Sequence, residues 1–211
     1  MVKKARILSV DDPEAIPTAM QILQGAGTIV FPTDTIYGIA ADAFNPDGIN
    51  KLYEIKERPE DKALPVLIGE TSQLDNLVLY LSDQVQSIAQ AFWPGALTLI
   101  LPKGPEVPPE LSPYPTIGVR MPDLGFTLRL LRETGPLATT SANRSGGSNP
   151  TTVKEVREQL GEQPDLILDG GPTPGPIAST VLDLSSPQIK VLRQGPISLE
   201  DITTHLDQNY E

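Results

Sequence analysis

The chain has 211 residues, 39% of them apolar and 20% charged, which fits one well-cored globular unit and excludes a disordered or fibrous chain. Sixteen Lys and Arg against 27 Asp and Glu give a formal net charge of −11, a field that works against a standing nucleic-acid-binding role. The lack of cysteine excludes disulfides, thiolate zinc sites and cysteine nucleophiles, and fits a reducing cytoplasm as the expected location.

The stretch Met1–Arg6 is basic, but only a short strand at Ile7–Val10 follows it, too short for the apolar run of a signal peptide. No segment approaches the roughly 20 apolar residues of a membrane span, so no membrane partner is expected. Asp12-Pro13-Glu14 reads as a helix start with a capping Asp; Ile16, Met20 and Leu23 keep helical spacing and Gly25 ends the run. Thr28–Phe31 reads as a strand that enters the loop Pro32-Thr33-Asp34-Thr35-Ile36-Tyr37-Gly38. Residues 47–57 read as a helix stopped by Pro59. Strands are expected at 65–68, 96–101, 116–120, 137–140, 166–168, 179–184 and 189–192. Helices are expected at 82–92, at 124–132, from Thr152 with a capping box to Glu155, and at 198–207. Residues 103–115 are a proline-rich loop. Strands alternating with helices give an α/β class, and the late strands without intervening helices predict a mixed sheet.

Four segments carry candidate chemistry. Lys56 lies seven residues after Ile49, on the apolar stripe of its helix, where a lysine is out of pattern. A snorkelling lysine at a helix end is the ordinary explanation. Arg58, held extended by Pro59, and Lys62 shift the balance towards three cations converging on an anion, such as a polyphosphate. In Thr116-Ile117-Gly118-Val119-Arg120 the hydroxyl, the glycine and the guanidinium share one strand face, with Arg120 at the C-terminal tip. An edge strand with a solvated face has the same pattern. Thr139–Gly147 runs from a strand into hydroxyls, amides and glycines. If extended, Ser141 and Asn143 point the same way, and the helix capped by Thr152 offers its N-terminus to an anion. An ordinary polar turn also has this composition. The loop from Pro32 to Gly38 offers two hydroxyls, a carboxylate and Tyr37, whose ring is a candidate to pack on a substrate.

Phosphate-loop and dinucleotide-loop glycine patterns are absent. The single histidine, His205, lies far along the chain from every cluster and reads as a surface residue, so a histidine triad is not expected. Positioning and charge neutralisation are left as the means of catalysis.

These segments, in this order, resemble the YrdC family of threonylcarbamoyl-AMP synthases. The resemblance runs from about Ile16 to Ile197. It is carried by Pro32–Gly38, by Lys56-Glu57-Arg58 as a Lys-x-Arg motif, by Ser141-Ala142-Asn143 as a Ser-x-Asn motif, by the Arg120 strand and by Leu192-Arg193-Gln194-Gly195. It implies one YrdC-like domain over 1–211 with its core at about 12–200. The expected form is the short one without an appended C-terminal domain: a twisted mixed sheet flanked by helices around a concave cationic cavity. It implies a nucleotidyltransferase that joins L-threonine, bicarbonate or CO2, and ATP into L-threonylcarbamoyl-AMP and pyrophosphate, for N6-threonylcarbamoyladenosine modification of tRNA. A transferase complex would take the product, with tRNA an indirect or weak partner.

By motif, Lys56 and Arg58 are the implied catalytic residues. Arg58, Lys62, Thr116, Asn143, Thr151 and Arg193 are implied to hold ATP, and Thr35, Tyr37, Arg120, Ser141 and Ser179 to hold threonine. Mg2+ would come bound mainly to phosphate oxygens, with no metal site of the protein's own. Leu67 stands where some relatives have histidine. An RNA-binding module of the same fold and a paralogue acting on another carbamoyl compound are the alternative readings. The 103–115, 143–150 and 170–178 loops are lid candidates.

Overall fold

A computed structural model describes residues 5–59, 61–175, 178–186 and 188–209; the N-terminal basic residues Lys3 and Lys4, and residues 176 and 177 of the 170–178 loop, lie outside them. The strands are β1 (Arg6–Ser9), β2 (Ile29–Pro32), β3 (Tyr37–Asp42), β4 (Val66–Leu67), β5 (Leu97–Pro102), β6 (Thr116–Arg120), β7 (Leu137–Ser141), β8 (Leu166–Asp169), β9 (Thr180–Asp183) and β10 (Lys190–Arg193). The helices are α1 (Ala15–Gln24), α2 (Pro46–Lys56), α3 (Asp83–Phe92), α4 (Gly125–Thr134), α5 (Val153–Leu160) and α6 (Leu199–Asn209), with a 3-10 turn at Thr71–Asn76.

The strands form one mixed sheet in the order β1-β8-β2-β3-β7-β4-β6-β5-β9-β10. β1, β8 and β2 run parallel, as do β4 with β6 and β5 with β9; the remaining neighbours are antiparallel. Strand alternation divides the core in two. Val30 and Ile39 point into the larger cluster with Ile49 and Leu52 of α2 and Ile88 of α3. Their neighbours Ile29, Phe31 and Ala40 point into a second cluster with Ala15, Ala19 and Leu23 of α1 and Leu130 and Leu131 of α4. Apolar groups on both faces of the sheet must be covered, and helices cover both.

The expected strands and helices are present, with shifts of a residue or two at their ends. Three local expectations are corrected. Asp12 does not cap α1: its carboxylate accepts the Glu14 N–H at 2.8 Å and its carbonyl the Ala15 N–H at 2.9 Å, closing a turn ahead of the helix. The buried stripe of α1 is centred on Ala15, Ala19 and Leu23, leaving Ile16 and Met20 at its edge. β3, buried along most of its length, was not expected at all; Gly38, Ala40 and Ala41 give it little of the β-branched bulk that marks a strand.

Candidate active site

β7 ends at Ser141 beside Gly38, near the start of β3, and the loop Thr33–Ile36 that precedes β3 brings Asp34 and Thr35 to the side chain of Arg120 on β6. Thr33 organises that loop: its hydroxyl donates to the Ile36 carbonyl at 2.7 Å and accepts the Thr35 and Ile36 N–H groups at 3.2 Å each. β6 is interior, between β4 and β5, so the edge-strand explanation of its polar face fails. A cavity of about 310 Å3 opens here, lined by Thr35, Arg58, Arg120, Ser141, Ser179 and Arg193 among others. That size is of the order of small-ligand sites.

Three guanidiniums meet in it. Glu57 adopts a left-handed conformation (φ 50°, ψ 42°) that ends α2 and turns Arg58 towards the cavity. The Arg58 side chain is braced on the carbonyls of Lys62 (3.1 Å) and Ala63 (2.9 Å). Arg120 donates from Nε to the Gly95 carbonyl at 3.0 Å, from Nη1 to Thr35 Oγ1 at 3.3 Å and from Nη2 to Asp34 Oδ1 at 2.5 Å. Arg193 donates from Nε to the Ser179 carbonyl (3.0 Å) and from Nη2 to the Ser179 hydroxyl (3.1 Å), which is also bonded to Thr98 Oγ1 at 2.8 Å. Burial holds Arg58 and Arg193 below the ordinary arginine pKa, and the neighbouring Arg120 adds to the effect on Arg193. Arg120 is buried and already paired with Asp34, while Arg58 is half-buried and Arg193 exposed, which leaves both able to meet an anion that enters the cavity.

The other motif residues lie elsewhere. Lys56 does turn inward, 2% exposed, but its ammonium donates to the carbonyls of Ser141 (2.5 Å) and Asn143 (2.6 Å). Burial, and then the Arg58 charge, pull its pKa down to about 8. Lys56, Arg58 and Lys62 therefore do not converge as three free cations; Lys62 is exposed and only its carbonyl braces Arg58. Ser141 and Asn143 do not point the same way. The Asn143 N–H bonds to the Ser141 carbonyl at 2.9 Å, a tight turn that takes Asn143 out of extension. Its amide nitrogen donates to the Arg144 and Gly147 carbonyls, while Oδ1 is buried without a partner.

Tyr37 does not offer its ring to a ligand. The ring is 0% exposed, and its hydroxyl donates to the Gly171 carbonyl at 2.7 Å and accepts the Gly170 N–H at 3.1 Å. The anion at the start of α5 is the protein's own: the Glu155 carboxylate accepts the Thr151 and Thr152 N–H groups and the Thr151 hydroxyl. These bonds, chiefly those from Thr151, hold Glu155 below its ordinary pKa. Thr116 does not line the cavity; its carbonyl accepts the Ser112 hydroxyl. His205 is half-buried, bonded to Ser87 and edge-on to the Phe92 ring, and so is a packing residue between α6 and α3.

Of the lid candidates, 103–115 is pinned by buried Val107 and Leu111 and by Lys103, whose ammonium donates to the Ser112 carbonyl. Sequence reasoning missed Thr98, a single hydroxyl in the apolar run Leu97-Thr98-Leu99-Ile100, and gave Asp34 no task. Among the described residues no group of three or more carboxylates or histidines is placed to hold a metal ion, and no helix is long and apolar enough to cross a membrane.

Comparison with known proteins is consistent with this arrangement. The Sua5/YciO/YrdC sequence model, described as "Telomere recombination", matches residues 21–195. The putative threonylcarbamoyl-AMP synthase of Mycobacterium tuberculosis (strain ATCC 25618 / H37Rv) is 38% identical over 196 residues, covering 90% of both chains. The threonylcarbamoyl-AMP synthase of Bacillus subtilis (strain 168) is 41% identical over 92% of this chain and 57% of its own length. Pyrococcus abyssi Sua5 complexed with L-threonine superposes with a TM-score of 0.87 at 35% identity, over 90% of this chain and 57% of that one. Escherichia coli YciO gives a TM-score of 0.83 at 26% identity, over 95% of this chain and all of its own. This chain thus spans a little over half the length of the Bacillus and Pyrococcus proteins.

Proposed function

The chain belongs to the Sua5/YciO/YrdC family, and from that membership we propose that it is an L-threonylcarbamoyl-AMP synthase. The observation that carries the reading is the cavity shared by three guanidiniums and the hydroxyls of Thr35, Ser141 and Ser179. Threonine brings a carboxylate and a hydroxyl, and ATP brings a polyphosphate; this lining is complementary to both.

In the proposed reaction L-threonine and bicarbonate form a carbamate with loss of water. A carbamate oxygen attacks the α-phosphorus of ATP, and the bond to the departing pyrophosphate breaks. Arg120, Thr35, Ser141 and Ser179 take the amino acid. Arg58 and Arg193 take the phosphates, stabilising the charge that gathers on the leaving group. The unpartnered Asn143 Oδ1 is buried and outside the cavity lining, so it would accept from the nucleotide only if the Ser141–Asn143 turn opened. Lys56 holds the Ser141–Asn143 turn in shape and adds a positive charge beside Arg58. Lys62, Thr116 and Thr151 are given no task. Mg2+ would arrive on the triphosphate, since no carboxylate lines the cavity. The product would pass to a transferase complex that modifies tRNA.

The test is pyrophosphate release from ATP. It should require L-threonine and bicarbonate together; release that persists without threonine would overturn the assignment.

A further inference from the structure

The Arg120–Asp34 pair is only partly used by the protein. A guanidinium has five N–H donors. Arg120 commits three of them, leaving one N–H on each terminal nitrogen, although the residue is 7% exposed. Asp34 commits Oδ1 alone; Oδ2 accepts no hydrogen bond and is not sealed inside the protein. The pair thus holds spare donors and a spare acceptor side by side at the margin of the cavity: Arg120 lines it with Thr33, Thr35 and Ile36, and Asp34, between these residues in the chain, is in contact with Arg120.

The surroundings are otherwise cationic. Arg58, Arg120 and Arg193 line the cavity, Lys56 lies close behind Arg58, and no lining residue is a carboxylate. Such a site attracts the carboxylate of an amino acid and repels its ammonium. A free α-amino acid carries both charges on one carbon. It needs an anion next to the cation that takes its carboxylate, and Asp34 is the carboxylate in contact with Arg120.

We propose that Asp34 is the ammonium-binding residue of the amino-acid site and the source of its selectivity for an α-amino over an α-hydroxy acid. This rests on the reading that L-threonine binds beside Arg120. The contact also acts at one stage only. Once nitrogen is carboxylated it is uncharged, and Asp34 no longer favours it, so the free amino acid is held more firmly than the carbamate at this point.

Isothermal titration with L-threonine and with the α-hydroxy acid of the same shape tests the proposal. The wild type should prefer L-threonine by about tenfold or more, the scale of one charge-assisted hydrogen bond. Asp34→Asn should remove most of that preference, weakening threonine while changing the hydroxy acid by less than about twofold. Asp34→Ser should do the same, with melting temperature confirming that each variant is folded. If Asp34 only positions Arg120, both ligands lose affinity equally, because both bind through the carboxylate; that result overturns the proposal. Equal affinity of the wild type for the two ligands overturns it without any variant. A wild type that binds neither ligand would instead bring down the threonine reading and this proposal with it.

Discussion

Lys56 and Arg58 stand two residues apart at one helix end and serve different masters: the ammonium is spent on the Ser141 and Asn143 carbonyls, the guanidinium on the cavity. Their replacements should therefore fail differently. Lys56→Met takes the ammonium from the buried Asn143 carbonyl and from the Ser141 carbonyl, which keeps only the Asn143 N–H. An orphaned buried acceptor costs about 1–3 kcal/mol, partly offset here by no longer burying a charge. A melting temperature lowered by several degrees is expected, together with weakened catalysis. Arg58→Ala should leave melting within a degree or two and abolish pyrophosphate release. Calorimetry beside the release assay separates the two.

The same ammonium makes stability depend on pH. Its folded pKa of about 8 lies below the unfolded value near 10.5. Between these values the unfolded chain binds more protons than the folded one, so stability rises with pH across that window and is lost again as pH falls through 8. Tyr37 has the opposite sign. Burial raises its pKa to about 12, so its contribution is whole below pH 10 and is lost as pH rises towards 12. Denaturant melts from pH 7 to 11 should show the rise in the wild type and a flattened profile in Lys56→Met.

Tyr37→Phe deletes the hydroxyl that bonds to Gly170 and Gly171 while keeping the ring. A loss of about 1 kcal/mol is expected. Amide exchange should quicken around residues 170–175, whose other ties include those from Gly171 to the Asp169 carboxylate, from Thr173 to the Thr151 carbonyl and from Gly175 to the Thr35 carbonyl. Unchanged exchange there would show that the hydroxyl does not anchor the loop.

Gly195→Ala should be among the most damaging single changes. A β-carbon at this position would lie 2.3 Å from the Thr180 nitrogen and 2.6 Å from the Ala178 carbonyl oxygen, both backbone atoms that cannot step aside. β9 and β10 would have to separate, displacing Ser179 and Arg193 together. A loss of several kcal/mol is expected. Aggregation or a markedly lowered melting temperature is the readout, and a wild-type melt would contradict the packing.

Much of the fold can be read from residue pattern because strand and helix periods differ. Thr116–Arg120 is bounded correctly, as is the Thr152–Glu155 capping box. β3 escapes because small residues fill it where neighbouring strands press close; a β-carbon on Gly38 would meet the Thr139 methyl at 3.0 Å. In the site, residue types were legible and targets were not. The inward direction of Lys56 follows from helical spacing, but that it ends on two carbonyls depends on where β7 stops. Asn143 leaves the extended path through a single backbone bond to Ser141, which no side-chain pattern announces. Glu155 takes the helix N-terminus that composition alone offers to a ligand. Asp34 gains meaning only when Arg120, 86 residues away, arrives beside it.

The position of β9 along β5 has a consequence for how the protein is made. A ribosome delivers β1 to β8 first, and all the pairings among those strands can then form. The wall that holds Ser179 and Arg193 is absent until the hairpin of β9 and β10 leaves the exit tunnel and closes along the open margin of β5. A growing chain therefore carries an unfinished pocket with two of its three guanidiniums. It gains the third only when β10 has been made and has paired with β9, so the pocket is completed by its last two strands.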